Sequence, residues 1–180
     1  MTIPNLITTI RIILAPIFII FILDERFPSA LVVFILAGIS DAADGLIARM
    51  FNQKSELGAY LDPLADKILL IGAFVVLPVK HFVPPWLSVV VITRDVMILL
   101  GVLIIFLNNS NFTIKPSILS KLTTCLQITT VFVALAQSIF HVLSIFSDYL
   151  FWITGILTIS SGLHYMRYWF RMMGEGPLDD

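Results

Sequence analysis

Ser40-Asp41-Ala42-Ala43-Asp44-Gly45-Leu46-Ile47-Ala48-Arg49 closes one long apolar segment, and Gly58-Ala59-Tyr60-Leu61-Asp62-Pro63-Leu64-Ala65-Asp66-Lys67 opens the next. Only residues 50–57 join them. Two helices linked by so short a connection are antiparallel neighbours. Their acidic ends then meet at one level. On a helix Asp41 and Asp44 are an i,i+3 pair, while Gly58, Asp62 and Asp66 repeat at i,i+4,i+8, so each set lines one face. Four carboxylates converge between two helices. Gly45 and Ala48 flank the first pair and are small.

Working outward, 58% of the 180 residues are hydrophobic and 13% are charged, with a mean hydropathy of +0.99. A soluble domain carries about 25% charged residues. A polar shell around a water-soluble core of this length needs more charge than the chain has, so its expected class is an all-α membrane protein. A net charge of −1 gives no electrostatic case for nucleic acid. The single cysteine, Cys125, cannot form an intrachain disulfide and is expected to pack within its apolar run.

A membrane helix needs about 20 apolar residues. Six segments meet this, roughly 6–23, 29–50, 57–79, 86–107, 117–146 and 149–172, and breakers separate them at 24–28, 51–56, 80–85, 108–116 and 147–148. Pro4, Pro28, Pro85 and Pro116 suit helix starts. The expected organisation is one six-helix catalytic domain over residues 1–180, with 173–180 a frayed cytoplasmic tail. Arg11 is followed by the apolar run 12–23 with no small-x-small cleavage site, which reads as a first transmembrane helix rather than a signal peptide. An unextended N-terminus fits a bacterial inner membrane. Six spans put both termini on one side, together with Arg49, Lys54, Lys115, Lys121, Arg167 and Arg171; the other side has Arg26 and Lys80. The positive-inside rule therefore places both termini in the cytoplasm, and the aspartates with them.

Ionisable side chains at the centre of a membrane helix cost about 2.5–3.5 kcal/mol each on insertion scales, so a cluster of them needs a reason. Four anions cannot share a low-dielectric site unpaired. Arg49 and Lys67 balance part of the charge and cations would balance the rest. Carboxylate oxygens with no cysteine or paired histidine among them point to hard ions, Mg²⁺ or Mn²⁺. Two such ions about 3.5–4 Å apart are a recurrent clamp for phosphoryl chemistry. Ion pairs that only staple the helices, and a cation pathway lined by carboxylates, are the other readings. Four aspartates exceed what stapling needs, and a pathway would spread them through the bilayer. Spacing favours an enzyme without proving it.

The stretch 41–66 resembles the signature of the CDP-alcohol phosphotransferase family, D-x2-D-G-x2-A-R-x8-G-x3-D-x3-D. It is met at Asp41, Asp44, Gly45, Ala48, Arg49, Gly58, Asp62 and Asp66 with every spacing kept. A noncatalytic homologue would have lost at least one of these positions. The resemblance implies a six-helix fold, a cytoplasm-facing active site and a homodimer. It implies that Asp41, Asp44 and Asp62 hold a pair of Mg²⁺ or Mn²⁺ ions, and that Asp66 completes the cluster and acts as general base. Gly45, Ala48 and Gly58 would let the CDP group approach the helix backbones, with Arg49 on the diphosphate. Pro4-Asn5-Leu6-Ile7-Thr8-Thr9-Ile10-Arg11 is similar to the start of the family's first helix, and Asn5, Thr8 and Arg11 would face the nucleotide or diphosphate.

The activity implied is transfer of a phosphatidyl group from CDP-diacylglycerol to an alcohol with release of CMP. Cardiolipin-forming members use phosphatidylglycerol as acceptor; others use glycerol 3-phosphate, inositol phosphate or serine. Arg94-Asp95 in the fourth segment and the run 115–127 are similar to the cardiolipin-forming type. Members using glycerol 3-phosphate usually carry a second arginine about two turns after the one matching Arg94. Here that region reads Leu99-Leu100-Gly101-Val102-Leu103. Phosphatidylglycerol is therefore the favoured acceptor and glycerol 3-phosphate the alternative, with Arg94 and Lys121 as acceptor-binding residues. Local pairing or snorkelling is the plain alternative for both cations. His81, His141 and His164 are scattered and make no metal set. His164, Tyr165, Arg167, Tyr168 and Trp169 read as an interfacial belt.

Overall fold

A computed structural model of the chain describes residues 3–51, 67–107, 118–140 and 143–174, with side chains at 11–40, 67–101, 118–140, 143 and 146–167. Every regular element among the described residues is a helix. These are α1 (Ile3–Leu23), α2 (Phe27–Phe51), α3 (Lys67–Val76), α4 (Pro85–Leu107), α5 (Ile118–Ala136) and α6 (Ser144–Gly174). Ile118–Ala136, with mean hydropathy 1.6, is long and apolar enough to cross a membrane on its own. Arg11–Leu23, Phe27–Ser40 and Lys67–Val76 are shorter apolar runs. The starts of α1, α2 and α4 lie within three residues of those expected, with Pro85 as the first residue of α4.

The expected fifth segment, 117–146, needs correction. Helix α5 stops at Ala136, and Ile139 and Phe140 both donate backbone N–H groups to the Ala136 carbonyl. The Ser138 hydroxyl donates to the Leu135 carbonyl at 2.6 Å. Serine thus offers the chain end a local partner in place of another helical turn. The apolar residues Ile139, Phe140 and Leu143 hid this break from hydropathy alone. The turn expected at 147–148 is instead inside α6.

The helices fall into two compact units, Met1–Val83 with Val131–Ser147, and Pro84–Thr130 with Asp148–Asp180. In the first unit α1 packs on α2, with the rings of Phe18 and Phe34 5.7 Å apart. Ala15, Ile22, Ala30, Ala37, Leu70, Ala73 and Phe74 are buried there. Two helix ends in this unit are alike. Arg26 N–H donates to the Phe21 carbonyl and Glu25 N–H to that of Ile22, while Phe82 N–H donates to Leu77 and His81 N–H to Pro78. Each is the paired bonding of a Schellman cap, which needs a left-handed residue at the position after the cap. That residue is usually glycine, yet here Glu25 (φ 61°) and His81 (φ 60°) adopt it. Rings of Phe27 and Phe82, 4.5 Å apart, lie beside the two caps.

The second unit distributes polarity in reverse of a water-soluble bundle. Thr123, Gln127 and Thr130 of α5, and Thr154, Thr158 and Ser161 of α6, are completely buried. Both sets step by four and then three residues, so each is one helix face. Leu122, Ile128, Ile153, Ile156, Ile159 and Leu163 face outward. Small and hydroxylated residues are what helices use to meet one another in lipid, where tails compete for any apolar face. The hydroxyls are satisfied locally. Thr123, Thr130 and Thr158 donate to the carbonyls of Leu119, Leu126 and Thr154, and the Thr130 and Thr154 hydroxyls pair at 2.8 Å. Cys125, expected to pack, is exposed, because it shares the outward face with Leu122.

At one end of this unit Trp86 and Trp152 stack with centroids 4.9 Å apart beside the exposed Tyr149. Toward the other end His164 and Arg167 are exposed and Tyr165 is half-buried, while the side chains of Tyr168 and Trp169, the rest of the belt expected there, lie outside the described residues. Tyr149 and Arg167 are separated by roughly 27 Å of helix, close to the thickness of a hydrocarbon core, about 30 Å.

Candidate active site

Helix α2 runs unbroken to Phe51, so Asp41 and Asp44 form the helical i,i+3 pair that their spacing requires. Gly45, Ala48 and Arg49 follow on the same helix. The side chains of these five, and all of Gly58, Asp62 and Asp66, lie outside the described residues. Lys67 opens α3 and is half-buried. Asn5, Thr8 and Arg11 all belong to α1 at successive i,i+3 steps. Arg11 is 2% exposed, so a full cation is held inside the first unit. The four aspartates offer oxygen donors alone, and the Asp41–Asp44 spacing on a continuous helix suits ligands of one hard-ion centre. The donor set therefore fits Mg²⁺ or Mn²⁺.

The second unit is built around Arg94. Its side chain is almost wholly buried in α4, and so is that of Asp95 beside it. Nη1 donates to Asp95 Oδ1 at 2.7 Å, which gives the local pairing that sequence allowed. Nη2 donates to the hydroxyl of Ser120 on α5 at 2.6 Å and to that of Ser161 on α6 at 3.0 Å. One guanidinium thus joins three helices. The Tyr165 ring centroid lies 6.0 Å from Arg94 Cζ, at the outer edge of cation–π range. Gly162 of α6 lies beside this side chain, where a Cβ would meet Arg94 Cγ at an ordinary contact distance of 3.7 Å. Arg94 also lines a cavity of about 240 Å³ whose other walls include Thr93, Met97, Gly162, Leu163 and Met166.

Lys121 follows Ser120 on α5 and is exposed. The two acceptor candidates thus differ in kind. Arg94 is neutralised by Asp95 and offers directed N–H groups, whereas Lys121 offers a charge at the surface. The sequence reading named Arg94, Asp95 and Lys121 and gave no role to Ser120 or Ser161. Serines in apolar helices carry no signal of which partner they meet across a bundle.

Comparison with known proteins gives the same family from most of the chain. The chain is 38% identical to the cardiolipin synthase (CMP-forming) of Rattus norvegicus over 184 aligned residues, covering 93% of this chain. The Homo sapiens cardiolipin synthase (CMP-forming) is also 38% identical. The chain spans 61% of the length of these two relatives. The CDP-diacylglycerol–glycerol-3-phosphate 3-phosphatidyltransferase of Aquifex aeolicus is 33% identical, with 94% of this chain and 92% of that protein covered. The profile of the CDP-alcohol phosphatidyltransferases matches residues 1–160, and so takes in α1 to α5, the aspartate stretch, Arg94, Asp95 and Ser120, and ends one residue before Ser161. Sequence, helix register and relatives meet in one conclusion: the chain belongs to the CDP-alcohol phosphatidyltransferase family.

Proposed function

We propose that this chain, as a single six-helix membrane domain over residues 1–180, transfers the phosphatidyl group of CDP-diacylglycerol to a glycerol hydroxyl of phosphatidylglycerol, releasing CMP. The observation that carries this reading is the complete eight-position signature at 41–66, with Asp41 and Asp44 on an unbroken helix. Enzymes of this family generally depend on a divalent metal. Asp41, Asp44 and Asp62 would hold two Mg²⁺ or Mn²⁺ ions, with Asp66 completing the set. When bound, such ions neutralise the diphosphate and polarise the phosphorus.

The chain's own residues do the rest. Gly45, Ala48 and Gly58 leave room for the cytidine diphosphate against the helix backbones, and Arg49 meets the diphosphate as a fixed cation. Asn5, Thr8 and Arg11 supply further polar contacts from α1. Asp66 takes the proton of the acceptor hydroxyl as its oxygen bonds to the phosphorus that carries diacylglycerol. The bond from that phosphorus to the bridging oxygen breaks, and CMP leaves with the electron pair. A carboxylate beside dications is a modest base, so its value lies in placement and in proton transfer late in the step. Arg94 and Lys121 hold the anionic acceptor.

Glycerol 3-phosphate is the second reading, favoured by the nearly full-length similarity to the Aquifex aeolicus enzyme. The absence of a cation at 99–103 favours phosphatidylglycerol, whose phosphodiester carries less charge than a phosphate monoester. Basic residues support a cytoplasmic position for both termini and for the aspartates.

The deciding assay follows CMP release by detergent-purified protein with CDP-diacylglycerol, Mg²⁺ and one acceptor at a time. Release is expected with phosphatidylglycerol, and Asp66→Asn is expected to slow it by about 10²–10⁴-fold. Release with glycerol 3-phosphate alone would replace the acceptor. Full activity in Asp66→Asn would remove the general base from the mechanism.

A further inference from the structure

We infer that Ser120 and Ser161 are positioning residues for Arg94, fixing its guanidinium from two other helices so that its uncommitted N–H groups are aimed at the anionic part of the acceptor. The inference rests on the reading of Arg94 as an acceptor-binding residue and extends it to two side chains that touch no substrate.

A guanidinium has five N–H donors in a rigid plane. Asp95 takes one from Nη1, and Ser120 and Ser161 take both from Nη2. The Nε–H is buried without a partner, and one N–H of Nη1 is uncommitted. Asp95 cancels the charge of Arg94, so direction rather than net attraction is what this arginine offers an anion. Direction in a plane needs more than one fixed point. A single contact to Asp95, its neighbour on the same helix, leaves the long side chain free to turn about that contact. Bonds from α5 and α6 add two fixed points on the opposite nitrogen.

The residue type matters as well. Hydroxyls accept from Nη2 without adding negative charge, so they hold the cation and do not repel an incoming phosphate. A second carboxylate there would hold Arg94 as firmly and oppose the ligand. Ser161 is fully buried, so water does not compete for its bond. Arg94 borders a groove of about 240 Å³ with Thr93, Met97 and Gly162, while its guanidinium lies almost wholly beneath the surface. Lys121, next to Ser120 and exposed, supplies the uncompensated charge that draws the anion in.

The test uses the full-length protein in detergent with CDP-diacylglycerol and Mg²⁺, and measures CMP release against acceptor concentration. Phosphatidylglycerol and glycerol 3-phosphate serve as separate acceptors, since both present a glycerol hydroxyl near an anionic phosphate. The double variant Ser120→Ala/Ser161→Ala is expected to raise the acceptor KM about tenfold or more, while the KM for CDP-diacylglycerol stays within about twofold. Ser120→Thr/Ser161→Thr, which keeps both hydroxyls, is expected to restore most of the loss. An equal rise in both KM values, or a fall in kcat alone that follows loss of folded protein, would show a purely structural role and overturn the inference. So would an unchanged acceptor KM in the double alanine variant while Arg94→Lys raises it. If Arg94→Lys leaves the acceptor KM unchanged, the acceptor role of Arg94 itself falls.

Discussion

Lys80 donates from its ammonium to Glu25 Oε1 across 2.8 Å, and so ties the turn that ends α1 to the turn that follows α3. The charge-based topology required those two turns to share a side. The bond also joins the two unusual caps, because Glu25 is the left-handed residue of one and Lys80 directly precedes that of the other. Its hydrogen bond, and then its charge, hold the Glu25 carboxyl below the ordinary value of 4.5.

That depression fixes the sign of a pH effect. A carboxyl with a lowered pKa in the folded state adds stability above its ordinary pKa and loses it as pH falls through the depressed value. Glu25→Gln is therefore expected to lower the unfolding temperature slightly at neutral pH. The difference from wild type should vanish once acid has protonated Glu25. Both groups meet at an exposed site, so added salt should shrink the effect at neutral pH as well. Thermal unfolding in detergent across pH checks this, and a difference that persists unchanged in acid would refute it.

His81→Gly is expected to stabilise the protein by about 0.5–1 kcal/mol. An L-residue in the left-handed region costs roughly 1–2 kcal/mol, and the flexibility of an unfolded glycine returns part of the gain. Val79→Gly, two residues earlier and not left-handed, should destabilise instead. Equal losses in both variants would show that the cap is not strained in solution.

Gly155→Ala is expected to cost about 1–3 kcal/mol, because its Cβ would lie 2.6 Å from the Trp86 ring. The far edge of that ring is partly exposed and can yield, so the lower end of the range is the expectation. In a Trp86→Leu background the penalty should vanish. Gly38→Ala, with nothing within 4 Å, is the matched control and should be harmless. Additive effects of Gly155→Ala and Trp86→Leu in a double-mutant cycle would contradict the contact.

Asp95→Asn is expected to destabilise by about 3–5 kcal/mol, since it leaves Arg94 charged and buried without its counter-ion. Arg94→Met should cost less, since it removes one partner of Asp95 but not every interaction that carboxylate makes. Joint replacement, Arg94→Met/Asp95→Leu, should recover much of the loss while abolishing acceptor binding. A double variant as unstable as the sum of the singles would mean that the pair is not the source of the cost. Unfolding in detergent separates this from the kinetic effects.

Much of this protein is decided along the chain. Long apolar runs with few charges settle a helical class, and the spacing of Asp41, Asp44, Asp62 and Asp66 settles the family, since both depend on local periodicity. The start of α4 at Pro85 was legible because a proline suits a first turn. The end of α5 at Ala136 was not. A serine back-bond stopped it inside an apolar run, and hydropathy does not register a hydrogen bond. The caps at Glu25 and His81 were also illegible, because a cap motif leads one to look for glycine.

What only the tertiary structure decided is the company that Arg94 keeps. The sequence places a cation in the middle of an apolar helix and requires that it be compensated, but Asp95 next to it is only one of the possible partners. Ser120 and Ser161 lie 26 and 67 positions away, and they reach Arg94 because α5 and α6 turn their small polar faces inward. A cation's need for partners is a property of its own chemistry and can be read from its residue type. Which hydroxyls meet that need depends on how three helices rotate against one another, and that rotation is set by packing among residues far apart in the chain.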